Sequence, residues 1–270
     1  MEKDLKYYAK VHSVESFGTV DGPGIRFVLF LQGCHLQCKY CHNRDTWDMN
    51  GGEYKSVDEI IEKINRYKNY MMPSGGGVTV TGGEPLLQHN FVLELFKRLK
   101  EEGIPTCVDT SGMVALTDGI KEVLKYTDLV LLDIKHIDEE KCKDLVGFSN
   151  KRELEFARYL SDNNIKMWIR QVLVPGYTDD EEDLLKLKDF LSTLKTVEKV
   201  QILPYHSMGK YKWKNLGLEY PLEGVRDANQ DDVDRAKKIL GRITTWKIFH
   251  VVILNFRSIV FTFVPIRCII

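Results

Sequence analysis

The sequence predicts an α/β protein built as a partial (β/α)6-type TIM barrel, and three observations carry that expectation. Apolar, strand-like runs alternate with amphipathic helical runs at least six times between residues 24 and 241. The strand runs are apolar nearly throughout, as parallel strands covered on both faces must be. Almost every glycine-rich or polar interruption falls just after a strand run: GCHLQC, TGGE, DTSG, DIKH, VPG and PYH. In barrel enzymes the chemistry sits at the carboxyl ends of the strands, so these six tails point to one shared rim. A doubly wound open sheet is the other arrangement of the same units.

The elements follow in order. GIRFVLFLQG (24–33) is rich in β-formers and ends in glycine, directly before three cysteines. Ser56 and Glu59 have capping-box spacing, and Val57, Ile60, Ile61 and Ile64 recur at helical spacing behind them. VTVTGG (78–83) is a short strand, and Phe91, Val92, Leu95, Phe96 and Leu99 mark one face of a helix that stops at Gly103. IPTCVDT (104–110) is the next strand, and Ile120, Val123 and Leu124 the next helix. DLVLLDIK (128–135) is apolar until its polar end; a helix over 151–162 leads to the strand KMWIRQVLVPG (166–176). Thr178 with Glu181 is read as the cap of a helix running to about Leu194, followed by the strand VEKVQILPYH (197–206) and a helix over 230–241. One pattern repeated this often gives no internal boundary, so residues 1–242 are read as one domain.

Composition narrows the function classes. With 270 residues, 43% of them hydrophobic and 29% charged, the chain has the make-up of a globular protein with a sizeable core. A formal net charge of −1 supplies no global field for nucleic acid or anionic lipid, so neither nucleic acid nor membrane is an expected partner. The opening MEKDLKYYAK shows no apolar core or cleavage site of a signal peptide, so a cytoplasmic location is expected. In a reducing compartment, clustered thiols mean metal or redox chemistry more often than disulfides.

The cluster is GCHLQCKYCH (33–42), with Cys34, Cys38 and Cys41 in one loop. Cys107, Cys142 and Cys268 stand alone, as small buried hydrophobes do. A structural zinc site in a binding module is one reading, but zinc usually takes four ligands in two separated pairs. His42 directly follows Cys41, and adjacent residues seldom ligate one ion well. Three thiolates suit three corners of a 4Fe–4S cube and leave the fourth iron open, the mark of a catalytic site.

CxxxCxxC after an early strand, with a later strand ending in GGE, resembles the radical S-adenosylmethionine (SAM) superfamily. TVDGPGIRFVLFLQGCHLQCKYCHNRDTWD (19–48), SGGGVTVTGGEPLLQ (74–88), DTSG (109–112), LVLLDIKH (129–136), LEFARYL (154–160), WIRQVLVPGYTDD (168–180) and LPYHSMGKYKW (203–213) together resemble the pyruvate formate-lyase activating enzyme family, over roughly residues 10–241. The CxxxCxxC spacing alone names only the superfamily; the DGPGIR loop, CHN and PYHxxGxxKW are far more specific. No ferredoxin-like insert with extra cysteines follows the first motif, unlike many activators of other glycyl radical enzymes.

The resemblance implies a barrel of the radical SAM type and a residue-by-residue site. Cys34, Cys38 and Cys41 would hold one 4Fe–4S cluster, whose open iron takes the amino and carboxylate groups of SAM. Tyr40 and His42 would line the adenine side, and Gly82 and Gly83 would let the backbone approach the methionine amino group. Asp133, Ile134 and Lys135 would border SAM, Lys135 as partner of its carboxylate with Arg170 assisting, and His206 would contact the nucleoside. Asp109, Thr110, Asp133 and the backbone at Leu131 resemble a monovalent cation site. Asp21 would border the opening for a loop of the protein substrate, pyruvate formate-lyase, with flavodoxin or ferredoxin as electron donor and a monomer expected. Another glycyl radical enzyme as substrate is the alternative within the class. After ILGR the resemblance ends, and ITTWKIFHVVILNFRSIVFTFVPIRCII (243–270) contains no Asp, Glu or Gly. Lys247, His250, Asn255, Arg257 and Pro265 interrupt it, so it is read as an atypical apolar extension rather than a membrane span.

Overall fold

In a computed structural model, the structure describes Asp4, residues 6–241 and the backbone of Thr244–Thr245. Its strands are β1 (Tyr8–Gly18), β2 (Arg26–Leu31), β3 (Glu53–Ser56), β4 (Gly77–Gly82), β5 (Thr106–Thr110), β6 (Leu129–Asp133), β7 (Met167–Leu173), β8 (Val197–Pro204) and β9 (Thr244–Thr245). They form one sheet in the order β3-β1-β2-β4-β5-β6-β7-β8-β9. From β2 through β8 every neighbouring pair is parallel, which gives the six strands of the expected partial barrel. Helices α1 (Val57–Asn65), α2 (Lys68–Met71), α3 (His89–Glu101), α4 (Asp118–Lys125), α5 (Glu139–Val146), α6 (Lys151–Asp162), α7 (Glu181–Ser192), α8 (Lys210–Asn215) and α9 (Gln230–Leu240) fill the connections.

The alternation of side chains along each strand separates core from site. Leu29, Val80, Val108, Val130, Leu132, Ile169 and Ile202 turn outward into one apolar cluster with Ile60, Phe91, Leu95, Val123, Phe156 and Leu187 of the helices. The intervening residues face inward, and there the apolar pattern gives way to Thr79, which bonds Arg26 and the Asp21 carbonyl, and to Thr81, Asp109, Asp133 and Arg170, which contact one another. Packing therefore comes from one face of the sheet and chemistry from the other.

Two strands at one side of the sheet lie outside the sequence expectation. β1 runs antiparallel to both β2 and β3, and register shifts between Val11 and Ser13 and between Glu15 and Gly18 break its alternation. β3 is only EYKS, a strand by virtue of pairing Val11 with Glu53 and Tyr8 with Ser56 rather than by pattern. The Ser56–Glu59 capping box forms as expected. The cap of α7 differs: the Asp180 side chain accepts from the Asp183 N–H, while Thr178 is buried and donates its hydroxyl to the Val172 carbonyl. The proposed extension 243–270 lies outside the described residues except for Thr244 and Thr245, which pair in parallel with Val200 and Gln201 of β8.

Candidate active site

The cysteine loop leaves the end of β2 and is pinned to the ends of its neighbours. Gly83 N–H donates to the Leu31 carbonyl and Glu84 N–H to the Gly33 carbonyl, each at 2.9 Å. At Gly82, with φ +114°, a Cβ would meet the Leu31 carbonyl oxygen at 2.3 Å, and at Gly83 the Gly33 carbonyl oxygen at 2.1 Å. Only glycines let β4 end flush against the root of the cysteine loop. The far end of the loop is held by Gln37 N–H to Val146 O and Lys39 N–H to Leu145 O, from the last turn of α5.

One cleft is lined by Cys34, Cys38, Tyr40, Cys41, Gly82, Gly83, Asp109, Thr110, Asp133 and Lys135, gathered from four segments. All ten are expected site residues. Cys38 is buried and Cys34 and Cys41 are half-buried. Burial pushes the Cys38 thiol up to about 12, against the opposing charge of Lys135, and raises Cys34 and Cys41 as well. Desolvated thiols of this kind become thiolates when a metal takes the place of the proton. Among the described residues no three His, Cys, Asp or Glu side chains converge to hold a single ion. A three-cysteine loop beside an open cleft fits the spread corners of a 4Fe–4S cube.

Opposite the cysteines lies a charged lattice. Arg170, 4% exposed, places Nη1 2.8 Å from Asp109 Oδ2 and Nε 3.6 Å from Asp133 Oδ1, its register neighbour on β6. Lys135 Nζ bonds Asp133 Oδ2 at 2.8 Å and lies 5.7 Å from the centre of the Tyr40 ring. Burial works against the Lys135 charge, but Asp133, Tyr40 and Cys38 hold its pKa well above the ordinary value. Asp133 is held low by Lys135 and Arg170 despite its burial. Asp109 is pushed up by burial, and the Asp133 charge adds to that while Arg170 opposes it. The groups expected to form a cation site thus meet the chain's own cations: Asp109 and Asp133 face Arg170 and Lys135, and Thr110 donates to Glu84. Leu131 is the register partner of Asp109.

His42 and His206 meet edge to face with ring centres 4.3 Å apart, and His42 Nε2 bonds the His206 carbonyl at 2.9 Å. Burial and His206 lower the His42 pKa to about 4, so the ring is neutral at pH 7. Ile134 turns its side chain into the main core and contributes its N–H to the Arg170 carbonyl. Asp21, expected at the opening for a partner loop, is instead fully buried, and neither carboxylate oxygen has a hydrogen bond.

Sequence reasoning passed over two carboxylates. Glu84, the last letter of GGE, is 1% exposed and accepts from Leu86 N, Thr110 Oγ1, Ser111 N and Ser111 Oγ. Glu153 is fully buried, accepts from the Lys135 N–H at 3.1 Å and so holds the backbone beneath that lysine. Its signal was available: 153, 156, 157 and 160 fall on one helical face with Phe156, Ala157 and Leu160. A larger cavity of about 680 Å³ lies elsewhere, lined by Glu140, Lys141, Asp144, Asp179 and Arg235 among others. It contains no cysteine, and its cations are committed, Lys141 to Asp183 and Arg235 to Asp179.

Fold and site together define a class: the Radical SAM superfamily matches residues 28–187. The pyruvate formate-lyase 1-activating enzyme of Escherichia coli strain K12 is 50% identical over 237 residues, 87% of this chain and 96% of that protein. The pyruvate formate-lyase-activating enzyme of Staphylococcus epidermidis is 54% identical over 237 residues, 86% of this chain and 94% of that protein. The chain belongs to the pyruvate formate-lyase activating enzymes of the radical SAM superfamily. The likeness extends in fold alone to Streptococcus suis SuiB bound to its precursor peptide, with a TM-score of 0.65 at 18% identity, covering 88% of this chain and 50% of that one. Membership in the superfamily implies a 4Fe–4S cluster and SAM as cofactors.

Proposed function

We propose that this protein activates pyruvate formate-lyase by generating a radical on one of its glycines. The observation that carries the reading is the cleft itself: three desolvated cysteines on one wall, a glycine strand end beside them and a buried lysine opposite. When bound, the cluster and SAM supply reductive sulfonium cleavage and the radical that abstracts a hydrogen atom from the glycine α-carbon.

The chain's residues bind and orient. Cys34, Cys38 and Cys41 are the three cluster ligands, since among the described cysteines these line the cleft and Cys107 and Cys142 do not. Lys135, kept charged by Asp133, is the partner for the SAM carboxylate. The main chain at Gly82–Gly83 leaves room for the methionine amino group, and the neutral His42–His206 pair, with Tyr40, forms the nucleoside side. Arg170 holds Asp109 and Asp133 in register; a monovalent cation at Asp109, Thr110, Asp133 and the Leu131 carbonyl would loosen those contacts. Asp21 reaches a substrate loop only by turning out of its buried position. A monomer working in the cytoplasm with flavodoxin or ferredoxin as reductant completes the reading. Among the described residues no helix is long and apolar enough to cross a membrane.

Anaerobic incubation with SAM, reductant and pyruvate formate-lyase, followed by electron paramagnetic resonance, tests this directly. A glycyl radical signal dependent on all components is expected. SAM cleavage without that signal would redirect the assignment to another glycyl radical enzyme.

A further inference from the structure

Among the described residues, Cys41 alone of the three clustered cysteines receives a side-chain hydrogen bond. Trp47 Nε1 donates to its Sγ at 3.2 Å, and Trp213 Nε1 donates to its carbonyl at 3.0 Å. The two indoles meet edge to face with ring centres 5.4 Å apart. Over them lies the Arg44 guanidinium, 4.1 Å from the Trp47 ring centre and 5.3 Å from that of Trp213. Trp213 is buried, while Trp47 and Arg44 are half-buried and open on a cavity of about 330 Å³ that also reaches Cys34. A packed aromatic column thus runs from a cluster sulfur to the surface.

The charge at its outer end is unbalanced. Neighbouring cations are taken: Lys39 by Asp144, Lys212 by Asp45 and Lys210 by Glu223. Among the described residues no carboxylate lies within ion-pair distance of Arg44, and its buried Nε has no hydrogen-bond acceptor. Lys214, exposed on the same helix as Trp213, also has no carboxylate partner among them. Asp48, the acid on the cavity rim, turns one oxygen to the Asn50 N–H. A guanidinium held over indoles with its charge unanswered is ready for an anionic group from outside.

We propose that the face centred on Arg44 and Trp47 is where an acidic one-electron carrier protein docks and delivers its electron to the cluster held by Cys34, Cys38 and Cys41. The proposal rests on the function proposed above and adds the place and charge of the contact. One electron leaves the reduced carrier, which is oxidised by one unit, and the cluster is reduced by one; no atom or proton moves. Complementary charge speeds the encounter and orients it, and it makes the contact sensitive to salt.

The test uses the full chain, purified anaerobically with its cluster, and flavodoxin as the acidic carrier. Arg44→Glu should weaken binding of oxidised flavodoxin by about tenfold or more at low salt, by calorimetry, and Arg44→Lys by only a few-fold. Flavodoxin-driven SAM cleavage should fall in parallel, while dithionite-driven cleavage stays at the wild-type rate. Rising salt should weaken wild-type binding and close the gap to Arg44→Glu. Unchanged flavodoxin affinity and flavodoxin-driven cleavage in Arg44→Glu overturns the proposal. An equal loss with dithionite also overturns it, because Arg44 would then be a support of the cysteine loop. Wild-type protein that cleaves no SAM even with dithionite overturns the proposed function as well, which separates the two failures.

Discussion

Thr110 at the end of β5 donates its hydroxyl to Glu84 Oε1, 2.7 Å away at the end of β4. The other oxygen of Glu84 accepts from both the N–H and the hydroxyl of Ser111, at 3.0 and 2.6 Å. One carboxylate therefore ties together two of the strand ends that shape the cleft. Glu84→Ala would leave these buried donors without an acceptor, at about 1–3 kcal/mol for a group left unsatisfied and more if several are. The thermal midpoint should fall by roughly 5–10 °C for a chain of this size, with iron loading reduced. Glu84→Gln keeps one acceptor oxygen and should lose less. A Glu84→Ala protein that melts with wild type would show that the loops are held by other means.

Replacing Cys41 by alanine removes a thiol and the acceptor of the Trp47 N–H. Iron content and SAM cleavage after anaerobic purification should both collapse. Cys107→Ala and Cys142→Ala, at positions that are fully buried and outside the cleft, should keep full iron and cost only about 1 kcal/mol or so of stability. Full iron in the Cys41 variant, or lost iron in the Cys107 variant, would refute the ligand assignment.

Lys135→Ala should weaken SAM binding to the cluster-loaded protein by about 1–3 kcal/mol, the range for a hydrogen bond to a charged group, which is roughly 5- to 150-fold in Kd. Equilibrium dialysis with labelled SAM measures it. Lys135→Arg should recover part of the loss, because the charge remains within reach of Asp133. Equal affinity in wild type and Lys135→Ala would remove the lysine from the SAM site.

The parallel strands were legible because burial on both faces writes itself as an unbroken apolar run, as in LVLL before Asp133. β1 was not, since its two register shifts break the alternation that would mark it as a strand. Cys34, Cys38 and Cys41 announce themselves by spacing. Trp47 and Arg44 do not, because their meaning depends on Trp213, 166 and 169 residues away in sequence. Glu84 was visible as the end of GGE, but its role was not, because its partners Thr110 and Ser111 are brought to it only by the fold. Glu153 was readable from its helical face, but a lone carboxylate on an apolar stripe does not name the Lys135 backbone as its partner. Spacing within a segment reports local geometry; a partner on another strand end is decided only by folding.

Asp21 offers a test of burial through pH. Its carboxylate is fully buried with no hydrogen bond, and burial raises its pKa to about 6, with Arg170 and Arg26 opposing and Asp109 reinforcing the shift. The unfolded chain would titrate near 3.9, so between about pH 4 and 6 the folded state binds more protons. The sign follows: stability falls as pH rises through that window, and above about pH 6 the whole penalty is present. Two pKa units correspond to about 3 kcal/mol, an upper limit for the gain when the charge is removed. Asp21→Asn cannot ionise, so at pH 8 it should melt several degrees above wild type, the amide N–H groups reducing the gain. At pH 4, where wild-type Asp21 is already protonated in the fold, the advantage should vanish or reverse. Thermal melts of both proteins at the two pH values decide it: the same difference at each would mean that the carboxylate is not charged in the folded protein at pH 8, or that its charge is compensated.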